Sequence, residues 1–159
     1  MKMTKTIALL LSFAVLMSAC KNQVNYNDTV VDLYGKYTTQ LATQFDKIAD
    51  EKTTKEAALA IVAELDKKTD SCTKVMNDLK PSEEAKDFHN KVTGLFGSVK
   101  TEYLPLAKQL AELKGGENID AYNKLIEDIN KAEKKVTTLE DQAIAAQKVY
   151  ADKVGMKVQ

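Results

Sequence analysis

Cys72 and His89 are the two residues in this sequence that could act as a nucleophile and its base. They stand at equal distances either side of the Lys80-Pro81 step. If helices flank Pro81 as an antiparallel hairpin, the two are level, and a histidine beside a thiol lowers its pKa and activates it. The competing reading is that Cys72 falls on an apolar helical stripe, where a free cysteine behaves as a small hydrophobe. That reading is preferred, and no catalytic residue is assigned. His89 is the sole histidine, which excludes a bis-histidine metal site. Lys86, not glutamate, stands three residues before it, so the Glu-x-x-His of di-iron bundles is missing. There is no Cys-x-x-Cys-His for covalent haem. A Met/His haem pair has nothing beyond residue type behind it. No metal and no cofactor is expected. The carboxylates are scattered along solvated faces near lysines at helical spacing, as with Glu127 and Lys131, and read as surface pairs. Tyr34, Tyr37, Tyr103, Tyr122 and Tyr150 fall on or near apolar stripes and read as core with hydroxyls at the rim. A tyrosine-lined bundle pocket carrying a small apolar ligand is the alternative function. No glycine-rich phosphate loop and no serine elbow is present.

The second cysteine has a different chemistry. Two lysines, Lys2 and Lys5, precede an almost unbroken apolar run from Thr6 to Met17, then Ser18-Ala19-Cys20. A basic start, a short apolar run and small residues make a secretory signal. The run is shorter than the ~20 residues a transmembrane helix needs. With Cys20 at the cleavage point the segment resembles the lipobox of bacterial lipoproteins. Leucine is usual three residues before the cysteine, and here Met17 holds that place. The resemblance implies that residues 1–19 are cleaved as a signal peptide and that the Cys20 thiol takes a diacylglycerol. It also implies that the new amino group takes a palmitate-type acyl chain. An ordinary cut after Ala19 would want a small residue where Met17 stands. Stable anchoring needs at least two chains at ~0.8 kcal/mol per buried methylene, and a triacylated cysteine exceeds that. The first partner is therefore a membrane. Lys21 follows, not the aspartate that retains many lipoproteins in the inner membrane, so the resemblance implies the outer membrane of the cell envelope rather than the inner.

Composition narrows the classes. Basic and acidic residues are equal in number, and loss of Lys2 and Lys5 leaves the mature chain slightly acidic. Nucleic-acid binders are usually clearly basic, so none is expected as a partner. Every basic residue outside His89 is lysine. Without arginine, forked recognition of carboxylate or phosphate loses support. Cys72, left alone once Cys20 carries lipid, has no partner for an internal disulfide. There is no tryptophan, and prolines and glycines are few. Abundant Ala, Leu, Lys and Glu with almost no alternating β-branched pattern point to an all-α domain.

After a polar tether over residues 20–25, the periodicity predicts an antiparallel up-down-up-down four-helix bundle over residues 26–159. The first helix carries Val30, Tyr34, Tyr37, Leu41, Phe45 and Ile48 on one face. Gly35 lies inside it as a close-contact position or a tolerated residue. A Thr53/Glu56 capping box starts the second, with Ala58, Ile61, Leu65, Thr69, Cys72, Met76 and Leu79, and Pro81 ends it. Ser82 caps the third, with Ala85, Phe88, Val92, Leu95, Val99, Tyr103, Leu106, Leu110 and Leu113. Pro105 kinks it, Gly94 and Gly97 flatten its surface, and Gly115-Gly116 terminates it. Asn118 caps the fourth, with Ile119, Tyr122, Ile126, Ile129, Ala132, Val136, Leu139, Ala143, Ala146, Tyr150 and Val154, and Gly155 closes it. Two long hairpins that dimerise are the alternative architecture.

The opening Tyr26-Asn27-Asp28-x-Val30-Val31, close behind a lipid-type cysteine, is similar to small helical surface lipoproteins of Bacteroidetes and spirochaetes. That resemblance implies a fold and a location but no mechanism. The expected function is a non-enzymatic module that binds a protein partner. Counting outward from Pro81, the third helix overshoots the start of the second by about six residues, or ~9 Å. Leu110, Leu113, Ile119 and Tyr122 then stand on an incompletely covered hairpin tip, the candidate binding surface. Against this, the first turn folds over the tip, or two copies of a homodimer cover each other's tips.

Overall fold

The structure, a computed structural model, describes residues 4–116 and 119–156, and the side chains from Gln23 onward. It is an all-α bundle, and the described residues contain no strand. Helix α1 spans Thr4–Ala49, α2 Lys55–Asp78, α3 Lys86–Ser98, α4 Leu104–Leu113 and α5 Ile119–Val154. A 3₁₀ turn, Glu83–Ala85, leads into α3, and a π-helical turn, Val99–Tyr103, joins α3 to α4. The backbone stays right-handed helical through both junctions, so α3, the π turn and α4 form the third rod of the bundle. One chain closes the bundle, in place of the alternative dimer of hairpins. Residues 21–25, expected as a tether, are helical and continuous with α1. The side chain of Cys20 lies outside the described ones, as do Glu117 and the Asn118 cap.

Side-chain bonds fix which ends meet. At one end, Tyr26 of α1 bonds His89 of α3, and the Tyr150 hydroxyl of α5 donates to the Gln23 carbonyl at 3.1 Å. At the other, Lys114 Nζ donates to the Asp50 carbonyl at 2.7 Å, tying the α4–α5 connection to the α1–α2 turn. Rods 1 and 3 approach across the centre, while the backbones of α2 and α5 stay apart.

The core follows the apolar stripes. Val30, Tyr37, Ile48, Phe88, Val92, Leu95 and Val99 are fully buried. Aromatic pairs run along the axis: Tyr34 meets Phe88 edge-on, Tyr37 meets Phe96 at 4.9 Å and 90°, and Phe45 meets Tyr103 at 5.2 Å. Offset and edge-on geometries are the ones the ring quadrupole favours. A buried polar chain crosses the first hairpin: Tyr37 shares a 2.7 Å bond with Thr69, whose hydroxyl also contacts the Leu65 carbonyl at 2.7 Å. Every member has a partner, which low dielectric demands.

The third rod departs from its expected phase, and Pro105 is the reason. A proline has no N–H for the carbonyl four residues back and clashes with it. The Leu104 amide instead reaches the Val99 carbonyl, the wider π spacing. An inserted residue turns everything after it by about 100°. Leu104, Ala107 and Ala111 therefore join the core, while the expected Leu106 and Leu113 are only half-buried. Lys100, bonded to Asp66 at 2.7 Å and Asp70 at 2.9 Å, clamps the π turn to α2. Lys135, 2.7 Å from Glu102, clamps it to α5.

The termini differ in detail from expectation. Thr54, not Thr53, caps α2, accepting the Ala57 amide at 3.2 Å. Ser82 opens the 3₁₀ turn and makes no side-chain cap bond. Gly155, at φ 68°, closes α5 as a Schellman motif: its amide reaches Asp152, and the Met156 amide reaches Ala151. Gly35, Gly94 and Gly97 approach nothing that a Cβ would meet, so none marks a close helix contact.

Candidate functional site

A cleft of about 560 Å³ opens at the end of the bundle where the α1–α2 and α4–α5 connections meet. Its floor is Ile48, Leu110 and Leu113, and one wall is Ile119 and Tyr122. Its rim carries Lys52, Lys55, Lys114 and Glu51, with Thr53, Thr54, Gly115 and Gly116. Each part has a local cause. Helix α1 stops at Ala49, and Asp50 takes the turn: its carbonyl receives the Thr53 amide and its carboxylate the Lys52 amide, both at 3.0 Å. Helix α4 stops because Gly115 turns left-handed at φ 79°, a conformation glycine adopts without a Cβ penalty.

The four residues expected at an uncovered tip divide into three kinds. Leu110 is 2 % exposed and belongs to the core floor, so it does not stand uncovered. Leu113 is half-buried. Ile119 is 72 % and Tyr122 43 % exposed, and these two form the open wall. They had also been expected on the buried stripe of α5; the stripe instead begins at Leu125. The π turn adds a residue to the third rod that the count from Pro81 did not allow for. The α1–α2 turn also leans onto the tip through the Lys114–Asp50 bond. Ile119 and Tyr122 stay exposed beside it.

Cys72 and His89 do not act on each other. Cys72 is 1 % exposed, and burial pushes its thiol up, with Lys68 opposing that. That is the opposite of what a nucleophilic thiolate needs. His89 Nδ1 instead lies 2.9 Å from the Tyr26 hydroxyl, and burial holds the imidazole below its usual pKa. No group of three or more His, Cys, Asp or Glu able to hold a metal occurs among the described residues. Of the tyrosines weighed as pocket lining, Tyr122 alone borders the tip cleft. Tyr34, Tyr37, Tyr103 and Tyr150 are buried in the core. Glu127 and Lys131, chosen as a surface pair, are exposed, and Lys131 pairs with Asp128 at 3.0 Å.

Two arrangements were not anticipated. Asn27 and Gln147 are buried at 8 % and 9 %, and Gln147 Nε2 donates to Asn27 Oδ1 at 3.1 Å across α1 and α5. Asn27 sits one turn before Val30, a spacing that marks it as core-facing once the helix phase is known. The lysine rim of the cleft carries no sequence signal, since it is assembled from two connections far apart in the chain. The fold and the cleft define an all-α helical bundle with an apolar-floored cleft at one end. Comparison with known protein families, characterised proteins and solved structures returns no match. No helix among the described residues is long and apolar enough to cross a membrane.

Proposed function

We propose that this chain is a lipid-anchored interaction module of the bacterial cell envelope, non-enzymatic, which presents its cleft to a protein partner. The anchor is Cys20, and the membrane is the outer one. The observation that carries the reading is the separation of the two ends. Helix α1 enters the bundle beside the Tyr26–His89 end and finishes at the cleft. From Gln23 to Ala49 the helix covers roughly 40 Å at 1.5 Å per residue. An anchor at Cys20 holds one end at the bilayer, and the cleft then faces away from it. The exposed apolar wall of Ile119 and Tyr122 is the part of the tip that a partner would cover.

Two experiments test the parts separately. Cys20→Ala moves the protein from the membrane to the soluble fraction; unchanged membrane retention refutes the anchor. Ile119→Asp combined with Tyr122→Ala abolishes partner association while helicity and melting stay nearly unchanged, since both side chains stand in solvent. Unfolding of that variant would make the wall ordinary core.

A further inference from the structure

The rim of the cleft has a sign, and its floor is apolar. Among the described residues, its charged lining is Lys52, Lys55 and Lys114 against Glu51. Lys114 is occupied: its ammonium caps the carbonyl end of α1 through Asp50. The Asp50 carboxylate is turned back onto the Lys52 amide. Asp120, in the first turn of α5, is exposed and lies outside the lining. Lys52 and Lys55 stand exposed at the edge, with no ion pair to either among the described residues. Lys55 is also the first residue of α2, where the amide end of the helix adds partial positive charge. Below them lie Leu113, Ile119 and Tyr122. Ile119 is the deciding residue. At 72 % exposure it projects beyond the cleft, so a small ligand lying inside would leave its outer side wet. A chain crossing the tip covers both sides.

We propose that the cleft takes an acidic peptide segment of a protein partner, one apolar side chain entering between Leu113 and Tyr122 and flanking carboxylates meeting Lys52 and Lys55. This rests on the reading of the cleft as the interaction site and adds the chemistry of its occupant. Because the ammonium groups are exposed, the attraction is long-range and weakens as salt shortens the Debye length.

The protein contains no tryptophan, so a tryptophan peptide reports its own binding. The probe is acetyl-Glu-Glu-Trp-Leu-Glu-Glu-amide, titrated against the full chain and read by its fluorescence blue shift. The expected result is saturable, salt-weakened binding, with none to the peptide whose glutamates are replaced by lysines. Lys52→Gln with Lys55→Gln weakens it by roughly three- to tenfold, the range of two exposed ion pairs. Ile119→Ser weakens it by roughly tenfold through lost apolar burial. Circular dichroism of both variants excludes unfolding as the cause. Equal binding of the lysine peptide, still sensitive to Ile119→Ser, overturns the acidic partner but leaves the cleft as an interaction site. Absence of binding by either peptide overturns the proposal. Displacement of the acidic peptide by lower concentrations of decanoate overturns it in favour of a free amphiphile. Concentration-dependent self-association in sedimentation, lost in Ile119→Ser, overturns it in favour of a second copy.

Discussion

Thr69→Val should destabilise the bundle more than Tyr37→Phe, although both remove the same hydrogen bond. Tyr37 is fully buried, and its hydroxyl bonds Thr69 at 2.7 Å. Thr69 has a second contact, the Leu65 carbonyl at 2.7 Å. In Tyr37→Phe the threonine hydroxyl therefore keeps a partner, and the loss is that of one bond, about 1 kcal/mol. In Thr69→Val the tyrosine hydroxyl is left in the core with nothing to bond, which costs ~1–3 kcal/mol. The double variant removes the stranded group, so its loss should fall below the sum of the two singles by about 1 kcal/mol. Urea unfolding of the four proteins, read by circular dichroism with equal m-values, measures the cycle. The pair matters to the site because it sets the register of α1 on α2, and that register places the Asp50–Thr54 turn at the cleft. If Thr69→Val costs no more than Tyr37→Phe and the two losses simply add, the hydroxyl has another outlet. The sealed core described above would then be wrong.

Three further outcomes follow from the same structure. Burial raises the pKa of Tyr37 to about 12, and burial also raises those of Tyr26 and Tyr103. A raised folded-state pKa gives stability that is complete below the unfolded value near 10 and is lost as pH climbs through the folded one. Alkaline melting curves should therefore fall from about pH 10 upward, and Tyr103→Phe should flatten the fall. His89 is displaced the other way: burial lowers it from 6.5, so the unfolded chain takes the proton first. Stability should be complete above about pH 6.5 and decline below it, and His89→Gln should remove that decline. Gly35→Ala should raise stability by roughly 0.5–1 kcal/mol, because the position is helical and a Cβ there meets nothing. No gain on thermal melting would mean that α1 is not helical through that point.

The apolar periodicity of α1 and α2 made most of their buried faces legible, since a helix that buries one face must repeat every three or four residues. Thr69 falls on that face by spacing alone, but its bond to Tyr37 belongs to two helices and could not be read from either. The third rod was legible up to Tyr103 and only in part beyond it, where Leu110 is core as expected but Leu106 and Leu113 are half-buried. Pro105 was expected inside one continuing stripe, and the chain absorbs it in a π turn that rotates the rest of that stripe. The same rotation buries Ala107 and Ala111, too small to register as apolar anchors in a pattern search. The tip was found by comparing helix lengths across the Pro81 turn, which is why its location was legible and its surface was not. Leu110 and Ile119 look alike in sequence, yet one is the floor of the cleft and the other its open wall. Their places in the fold separate them: Leu110 is on the core side of α4, and Ile119 is the first residue of α5.

The proposed function requires the cleft to be the contact surface and the opposite end to be the anchored one. Site-specific photo-crosslinking in intact cells tests both together. A photoreactive residue is placed at Ile119 in one strain and at Val149 in another. Val149 is 52 % exposed and precedes Tyr150, which bonds Gln23 at the end opposite the cleft. The account predicts one protein adduct of defined mass from position 119, lost when Tyr122→Ala is added, and no such adduct from position 149. Adducts of the same mass from both positions, or from 149 alone, would contradict it.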